Sequence, residues 1–464
     1  MEFLLTKMQV PLREVGRLKE FNEAVDRTVG YYGTEKLENL RDESLSRYGR
    51  ALHLETETRQ LEGRFDDALK AAIVAAEMTG AVLRRAPSEP ERVSDHGQSE
   101  FWLGNLTLAR NPREAISHFA SYVDLTEQAR KARPDMLAWQ ANAARAHNSL
   151  ALALFRAGDL DPSLAEFTLA NATWAQIRKD HPDDHQARQA AANTLNLTSD
   201  VLKAQGKMQA AVAVQEQSLA LTEPAYILDK NDRDAQYRLA TVERRIARLA
   251  FEVGDAARSL DHLEKARDHG IELLQHDPEN ILWQDSLAMT VADFAAAEVL
   301  TGSLAKAAAE LGRPESSRVL TTGAKLGVWN NRLQALIAAR AADARVSMAH
   351  GEVRRAVALA EANARDLSVL SGTPPPDAVV ATGETEIMLG DALDQAGDKE
   401  AALSHWRNAE RLQDRPLGLR ATYVAMQALC RRGDGSGAST LAAELKAAGY
   451  ARSLSAAVID KCRK

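Results

Sequence analysis

The chain has 464 residues, of which 45% are hydrophobic, 5% aromatic and 27% charged, and its formal net charge is −7. The acidic balance and the lack of a basic block argue against a nucleic-acid-binding protein. No segment reads as a signal peptide or a membrane span, and the two cysteines, Cys430 and Cys462, are too few for a disulfide framework or a metal set. We therefore expect a cytoplasmic protein that binds neither nucleic acid nor membrane.

The first 43 residues are predicted to form an N-terminal helical joint. Apolar residues cluster at Phe3-Leu4-Leu5 and again within Pro11–Leu18, which favours two short amphipathic helices. This segment lies outside the periodic pattern that follows it.

From residue 44 to 445 the chain is predicted to be an array of helical repeats. Gly158, Gly206, Gly254 and Gly302 follow one another at intervals of 48 residues. A fixed period of this size indicates stacked units that pack against their neighbours. We expect a glycine in the left-handed conformation to end the first helix of each unit. The predicted turn glycines are Gly63, Gly158, Gly206, Gly254, Gly302, Gly351, Gly397 and Gly433.

Two units illustrate how the turns are capped. In the unit from 134 to 181, the first helix is predicted over Met136–Ala157, and Asp161 with Pro162 is expected to open the second. The second unit has Arg110 where the others have glycine. There Asn111, Pro112 and Glu114 form a capping pattern that preserves the turn.

Three stretches depart from the rhythm. Helix breakers between 312 and 330 predict a kinked or split second helix in the sixth unit, either as a tolerated insertion or as a hinge or docking loop. The segment Thr373–Asp377 holds three prolines and is predicted to be non-helical. Residues 446–464 are predicted to form a capping helix.

The repeat resembles the tetratricopeptide repeat (TPR) with unusually long helices. The eighth unit carries the pattern in Leu389, Gly390, Leu393, Gly397, Asp398, Ala402, Trp406 and Ala409. The segment His276–Gln284 is similar to the opening of a long-helix TPR variety found in bacterial signalling proteins. The resemblance implies an all-α, right-handed superhelical α-solenoid of about nine hairpins. The joint at 1–43 resembles the one that links such arrays to upstream Toll/interleukin-receptor-like, kinase or STAND NTPase effector domains.

In TPR arrays the first helices line the concave surface, and repeat-equivalent positions on them face a common groove. Asn148, Asn196 and Arg244 are such equivalents, and a charged residue three or four positions away accompanies each. The companions are Arg145, Asp200 and Arg248. Amide and guanidinium groups can hold a peptide backbone or a carboxylate. These six residues are the candidate peptide-binding site, the alternative being a solvated groove without a dedicated ligand.

No motif for enzymatic chemistry is present in the sequence. Phosphate-binding, dinucleotide-binding and nucleophile-elbow patterns are missing, and Pro182 between His181 and His185 makes a shared metal on one helix unfavourable. We therefore predict a non-catalytic scaffold or sensor arm, without cofactor or metal, that binds a protein or peptide partner and serves a joined or separate effector. The alternative is a self-association module that forms homo-oligomers.

Overall fold

The computed structural model describes residues 18–33, 41–321, 327–415 and 417–451. Within those ranges every regular element is a helix and no strand occurs. Contacts between residues divide the chain into two compact units, Met1–Val201 and Leu202–Lys464, which are described separately.

Unit 1 is built from helices of about 16 to 21 residues that pair through short turns. After α1, helices α2 and α3 form hairpin 1, α4 and α5 form hairpin 2, and α6 and α7 form hairpin 3. The helices are α1 Leu18–Gly33, α2 Asp42–Leu61, α3 Phe65–Arg85, α4 Pro90–Leu108, α5 Pro112–Ala132, α6 Leu137–Ala157, α7 Leu160–Asp180 and α8 His185–Ala204, the last of which crosses into unit 2.

Unit 2 continues the same alternation. Helix α9 is the second helix of hairpin 4, and hairpins 5 to 9 follow, of which hairpin 6 has its second helix in two pieces. The helices are α9 Met208–Leu228, α10 Arg233–Glu252, α11 Ala256–His276, α12 Ile281–Leu300, α13 Leu304–Leu311, α14 Pro314–Thr321, α15 Asn331–Ala349, α16 Val353–Ser368, α17 Pro376–Gln395, α18 Lys399–Glu410, α19 Leu419–Arg431 and α20 Gly435–Ala447. A 3₁₀ turn, Arg411–Asp414, extends α18.

The turns inside the hairpins have one backbone geometry. All eight predicted turn glycines have positive φ, between 74° and 90°. A residue without a Cβ adopts this conformation without strain, so each first helix ends where the glycine stands. In hairpin 2 the side chain of Asn111 accepts a hydrogen bond from the backbone N–H of Glu114, which caps α5 without a glycine.

The core consists of small residues on one helix that receive a large side chain from the next. In hairpin 2 the ring of Phe119 packs against Gly104, and in hairpin 8 the indole of Trp406 packs against Gly390. Trp139 packs with the buried Val93 and Ala129. This close approach of backbones explains why the chain is rich in alanine and poor in aromatic residues.

Two predicted boundaries are wrong. Helix α7 begins at Leu160 and its N-cap residue is Asp159, so Asp161 and Pro162 lie inside its first turn. Helix α17 begins at Pro376 and includes Asp377. Residues 373–375 are non-helical, as predicted, and only Pro376 and Asp377 depart from the prediction. Proline fits the first helical position, where its missing N–H leaves no bond unmade. The second helix of hairpin 6 is split as the sequence predicts, and Pro314 opens its second piece.

Parts of both predicted terminal segments lie outside the described residues. These parts are residues 1–17 and 34–40 of the joint and 452–464 of the capping helix. The boundaries at 43 and 446 stay predictions.

Within the described ranges no helix is long and apolar enough to cross a membrane. Cys430, in α19, is disulfide-bonded, so the low cysteine count does not by itself indicate a reducing environment.

Candidate functional site

In unit 1 the predicted site residues Arg145 and Asn148 lie one helical turn apart on α6. Arg145 is exposed, donates to the Oδ1 of Asn142 at 3.1 Å, and lies 5.7 Å from the ring centre of Trp174. The Oδ1 atom of Asn148 is buried and has no hydrogen-bond partner. A buried acceptor without a donor is costly, so rotation of this amide toward a ligand N–H group would relieve that cost.

Asn196 and Asp200 occupy the corresponding helix of the next hairpin, α8. Both are half-buried, and both already interact with other parts of the chain. Their polar groups are therefore not as open to a ligand as the sequence pattern suggests.

In unit 2 the predicted site residue Arg244 is committed to an ion pair inside the fold. Its Nη1 lies 3.1 Å from the Oδ2 of Asp293 on α12, and the two side chains are 16% and 25% exposed. Burial lowers the pKa of the Arg244 guanidinium, Asp293 opposes that change, and the positive charge of Arg248 adds to it. Arg244 thus ties α10 to α12, a role that the sequence analysis did not assign to it.

Similar ion pairs one period apart connect other first helices of unit 2. Lys203 pairs with Glu252 at 2.8 Å, and Asp285 pairs with Arg332 at 2.6 Å. These partners lie 49 and 47 residues apart, and Arg244 and Asp293 lie 49 apart. The sequence signal for these pairs is a set of opposite charges about one repeat apart.

Within hairpins a second kind of polar pair joins the two helices. The Nδ1 of His147 lies 2.6 Å from the Oε2 of Glu166, and Glu243 pairs with His262 at the equivalent two positions two repeats later. Further pairs are His118 with Glu100 at 2.8 Å and His405 with Glu386 at 2.7 Å. A half-buried imidazole–carboxylate contact fixes how the helices of a hairpin face each other.

The remaining predicted residue, Arg248, lines a cavity of about 100 Å³ in unit 2. The first helices of hairpins 5 to 9, α10, α12, α15, α17 and α19, all contribute to its wall. Phe251 and Trp329 supply aromatic surface. The half-buried side chain of Arg248 makes no hydrogen bond or ion pair within the described part of the chain. Arg145 in unit 1 and Arg248 in unit 2 are therefore the predicted site arginines without an ion pair among the described residues.

Comparison with solved structures addresses the fold. The apo form of a protein named RapI superposes with a TM-score of 0.55 at 9% sequence identity, over 86% of this chain and 96% of that one. Together with the helical hairpins of the described ranges, whose turn glycines recur at about 48 residues from Gly158 to Gly397, this decides the fold class. The chain is a TPR-like α-solenoid. The predicted all-α repeat fold and the resemblance to TPR proteins are confirmed at the level of fold.

Two further matches to the TPR-like solenoid are weaker. The STAND protein PH0952 from Pyrococcus horikoshii, which has a tetratricopeptide repeat sensor, matches at 13% identity and a TM-score of 0.45, over 90% of this chain and 55% of that one. BtubC from P. vanneervenii matches at 18% identity and a TM-score of 0.43, over 57% and 95%. No conclusion rests on these two. No family model and no curated protein sequence matches the chain.

Proposed function

We propose that the protein is a non-catalytic scaffold that binds a peptide or protein partner on the first helices of its hairpins. The TPR-like solenoid supports this role because a row of stacked hairpins presents a long surface built from equivalent positions. Within a bacterial signalling or regulatory system it would act as a sensor arm for an effector domain, joined or separately encoded. Its cytoplasmic location is part of the same proposal.

The observation that carries the proposal is the unpartnered Oδ1 of Asn148 beside the exposed Arg145. A peptide laid across α6 would donate a backbone N–H to the amide oxygen and place a carboxylate near the guanidinium. The contact with Asn148 would relieve the cost of a buried acceptor without a donor. The contact with Arg145 would add a charge-assisted hydrogen bond to an exposed guanidinium that binds the neutral amide of Asn142. Asn196, one repeat later, would extend the surface.

The proposal is tested by selecting peptides from a displayed random library on the immobilised full chain. Affinities of the selected peptides are then measured for the parent protein and for Asn148→Ala, Arg145→Ala and Asn196→Ala. We expect a loss of about tenfold for Asn148→Ala and more when Arg145→Ala is added, because a charge-assisted contact contributes about 1.5–3 kcal/mol. Lys179→Ala, an exposed change on the second helix α7, serves as the control.

Peptides that bind all variants equally would place the partner elsewhere. Failure to select any peptide, with a fold intact by circular dichroism, would count against a peptide-binding role.

Self-association is the second candidate function. Two pairs of sequence-adjacent aliphatic side chains are exposed at corners between hairpins, namely Ile227 with Leu228 and Ile281 with Leu282. Exposed apolar groups of this size favour association. Multi-angle light scattering decides between the candidates, because a concentration-independent monomer mass would rule out the self-association module.

A further inference from the structure

The cavity in unit 2 is lined by one arginine, Arg248, that makes no ion pair among the described residues. Arg248 projects from α10 and is half-buried. Arg244, one turn earlier on the same helix, is matched by Asp293, so the charge of that carboxylate is already used. A partly buried guanidinium without a partner is unfavourable unless an anion joins it.

The other charged groups at the cavity have their own partners or face water. Arg420 on α19 binds Glu384 on α17 through two contacts of 2.8 and 2.5 Å. Arg345 interacts elsewhere in the chain. Asp377 is exposed at the start of α17, where water solvates it. Glu252, one turn after Arg248, also lines the cavity and binds Lys203 through its Oε1 at 2.8 Å. Arg248 is therefore the half-buried charged residue of the cavity wall that makes no ion pair among the described residues.

The rest of the wall is largely apolar and limits the size of an occupant. Trp329, Phe251 and the buried Met289 line the space next to alanine side chains. The cavity volume of about 100 Å³ corresponds to roughly seven to ten water molecules. This space suits a molecule of about ten non-hydrogen atoms with an apolar body.

We propose that the cavity binds a small organic carboxylate, whose charged end pairs with Arg248 and whose apolar body packs against Trp329 and Phe251. This site is independent of the partner surface on α6 and would make the protein responsive to a metabolite-sized acid. A guanidinium and a carboxylate form strong, directional hydrogen bonds, and their strength increases away from bulk water.

Titration of the full chain with phenylacetate, followed by saturation-transfer NMR and calorimetry, tests the proposal. Phenylacetamide has the same size and shape without the charge and serves as the matched ligand. We expect saturable binding of phenylacetate and a loss of about tenfold or more for phenylacetamide. Isovalerate, 3-phenylpropionate and indole-3-acetate extend the series of acids.

Three variants test whether Arg248 supplies the positive charge that binds the carboxylate. Arg248→Gln should lower the affinity for phenylacetate about tenfold, to that for phenylacetamide. Arg248→Lys should keep part of the preference for phenylacetate over phenylacetamide. Arg238→Gln, on the same helix but paired with Asp232 away from the cavity, should change nothing. Melting curves of all variants establish that the fold is intact.

The proposal is overturned if none of the four acids binds saturably up to about 10 mM, a weak limit for ligands of this size. Equal binding of phenylacetate and phenylacetamide, or full binding by Arg248→Gln, has the same consequence. Binding of N-acetyl-Gly-Gly-Phe in the absence of binding by the free acids would assign Arg248 to a peptide terminus instead.

Discussion

The backbone N–H of Ala451 donates a hydrogen bond to the carbonyl oxygen of Glu252 at 2.8 Å. Glu252 is the last residue of α10, whereas Ala451 follows the last described helix, α20. Tyr450, which directly precedes Ala451, is only 1% exposed, and its ring centre lies 5.8 Å from that of Tyr423. Within unit 2 the chain that leaves hairpin 9 therefore docks on the turn of hairpin 5, a contact that a repeat architecture does not require.

We predict that Gly254→Val destabilises unit 2 and releases this docked segment. The valine would stand at φ 86°, and its Cβ would lie 3.2 Å from the Cβ and the carbonyl oxygen of Ala451. Strain at such a position costs about 1–3 kcal/mol. Gly158→Val is the matched control, since Gly158 has a φ of 88° and open space around it. Hydrogen exchange at the Ala451 amide should accelerate in Gly254→Val and stay unchanged in Gly158→Val.

Gly390→Ala should destabilise hairpin 8 although alanine is the better helix former. An added Cβ would overlap the indole ring of Trp406, which packs directly on the glycine. Overpacking of this kind typically costs about 1–3 kcal/mol, more than the roughly 1 kcal/mol gained in helix propensity. In Gly30→Ala the added Cβ meets nothing within 4 Å, so only the gain in helix propensity remains. Opposite shifts of the melting temperature are expected, and a rise for Gly390→Ala would show that the indole moves aside freely.

Unit 1 should lose stability as the pH falls below about 6.5. Burial lowers the pKa of His53 to about 3, and the positive charges of Arg50 and His96 contribute to the shift. In the unfolded chain the imidazole takes up its proton near pH 6.5, so between pH 6.5 and 3 the unfolded state binds more protons than the folded one. The free energy of unfolding therefore decreases with falling pH in this window, by about 1 kcal/mol per pH unit from His53 alone.

Urea unfolding between pH 7 and pH 4.5 measures this dependence. His53→Gln retains a polar group near the Oγ of Ser99, which lies 2.7 Å from His53 Nε2, but does not titrate. The curve of free energy against pH should be flatter for the variant than for the parent. Parallel curves would mean that His53 titrates alike in both states.

Arg244→Ala should lower the stability of unit 2, because Arg244 holds an ion pair between α10 and α12. The substitution leaves Asp293 largely buried without its partner, at a cost of about 1.5–3 kcal/mol. Adding Asp293→Asn removes the orphaned charge and should restore part of the loss. A double-mutant cycle by thermal unfolding measures the coupling, and a coupling near zero would return Arg244 to the set of free surface residues.

The features that could be predicted from the sequence are those that repeat locally. A glycine at the end of each first helix, such as Gly206 or Gly351, is required by its own backbone angle, so the turns and the number of hairpins follow from the spacing. The features that could not be predicted depend on which hairpins meet. The cavity at Arg248 needs five first helices around one space, and the docking of Ala451 on Glu252 joins residues separated by most of unit 2.

The exchanged order of one polar pair limits how this chain could have been assembled by duplication and recombination. In hairpin 3 the histidine, His147, is on the first helix and Glu166 on the second, whereas in hairpin 5 Glu243 is on the first and His262 on the second. A crossover inside a hairpin would bring Glu243 against Glu166, two carboxylates that repel each other. An exchange between these two hairpins preserves both pairs when its breakpoints lie at the corners between hairpins, near Pro134 and Pro182.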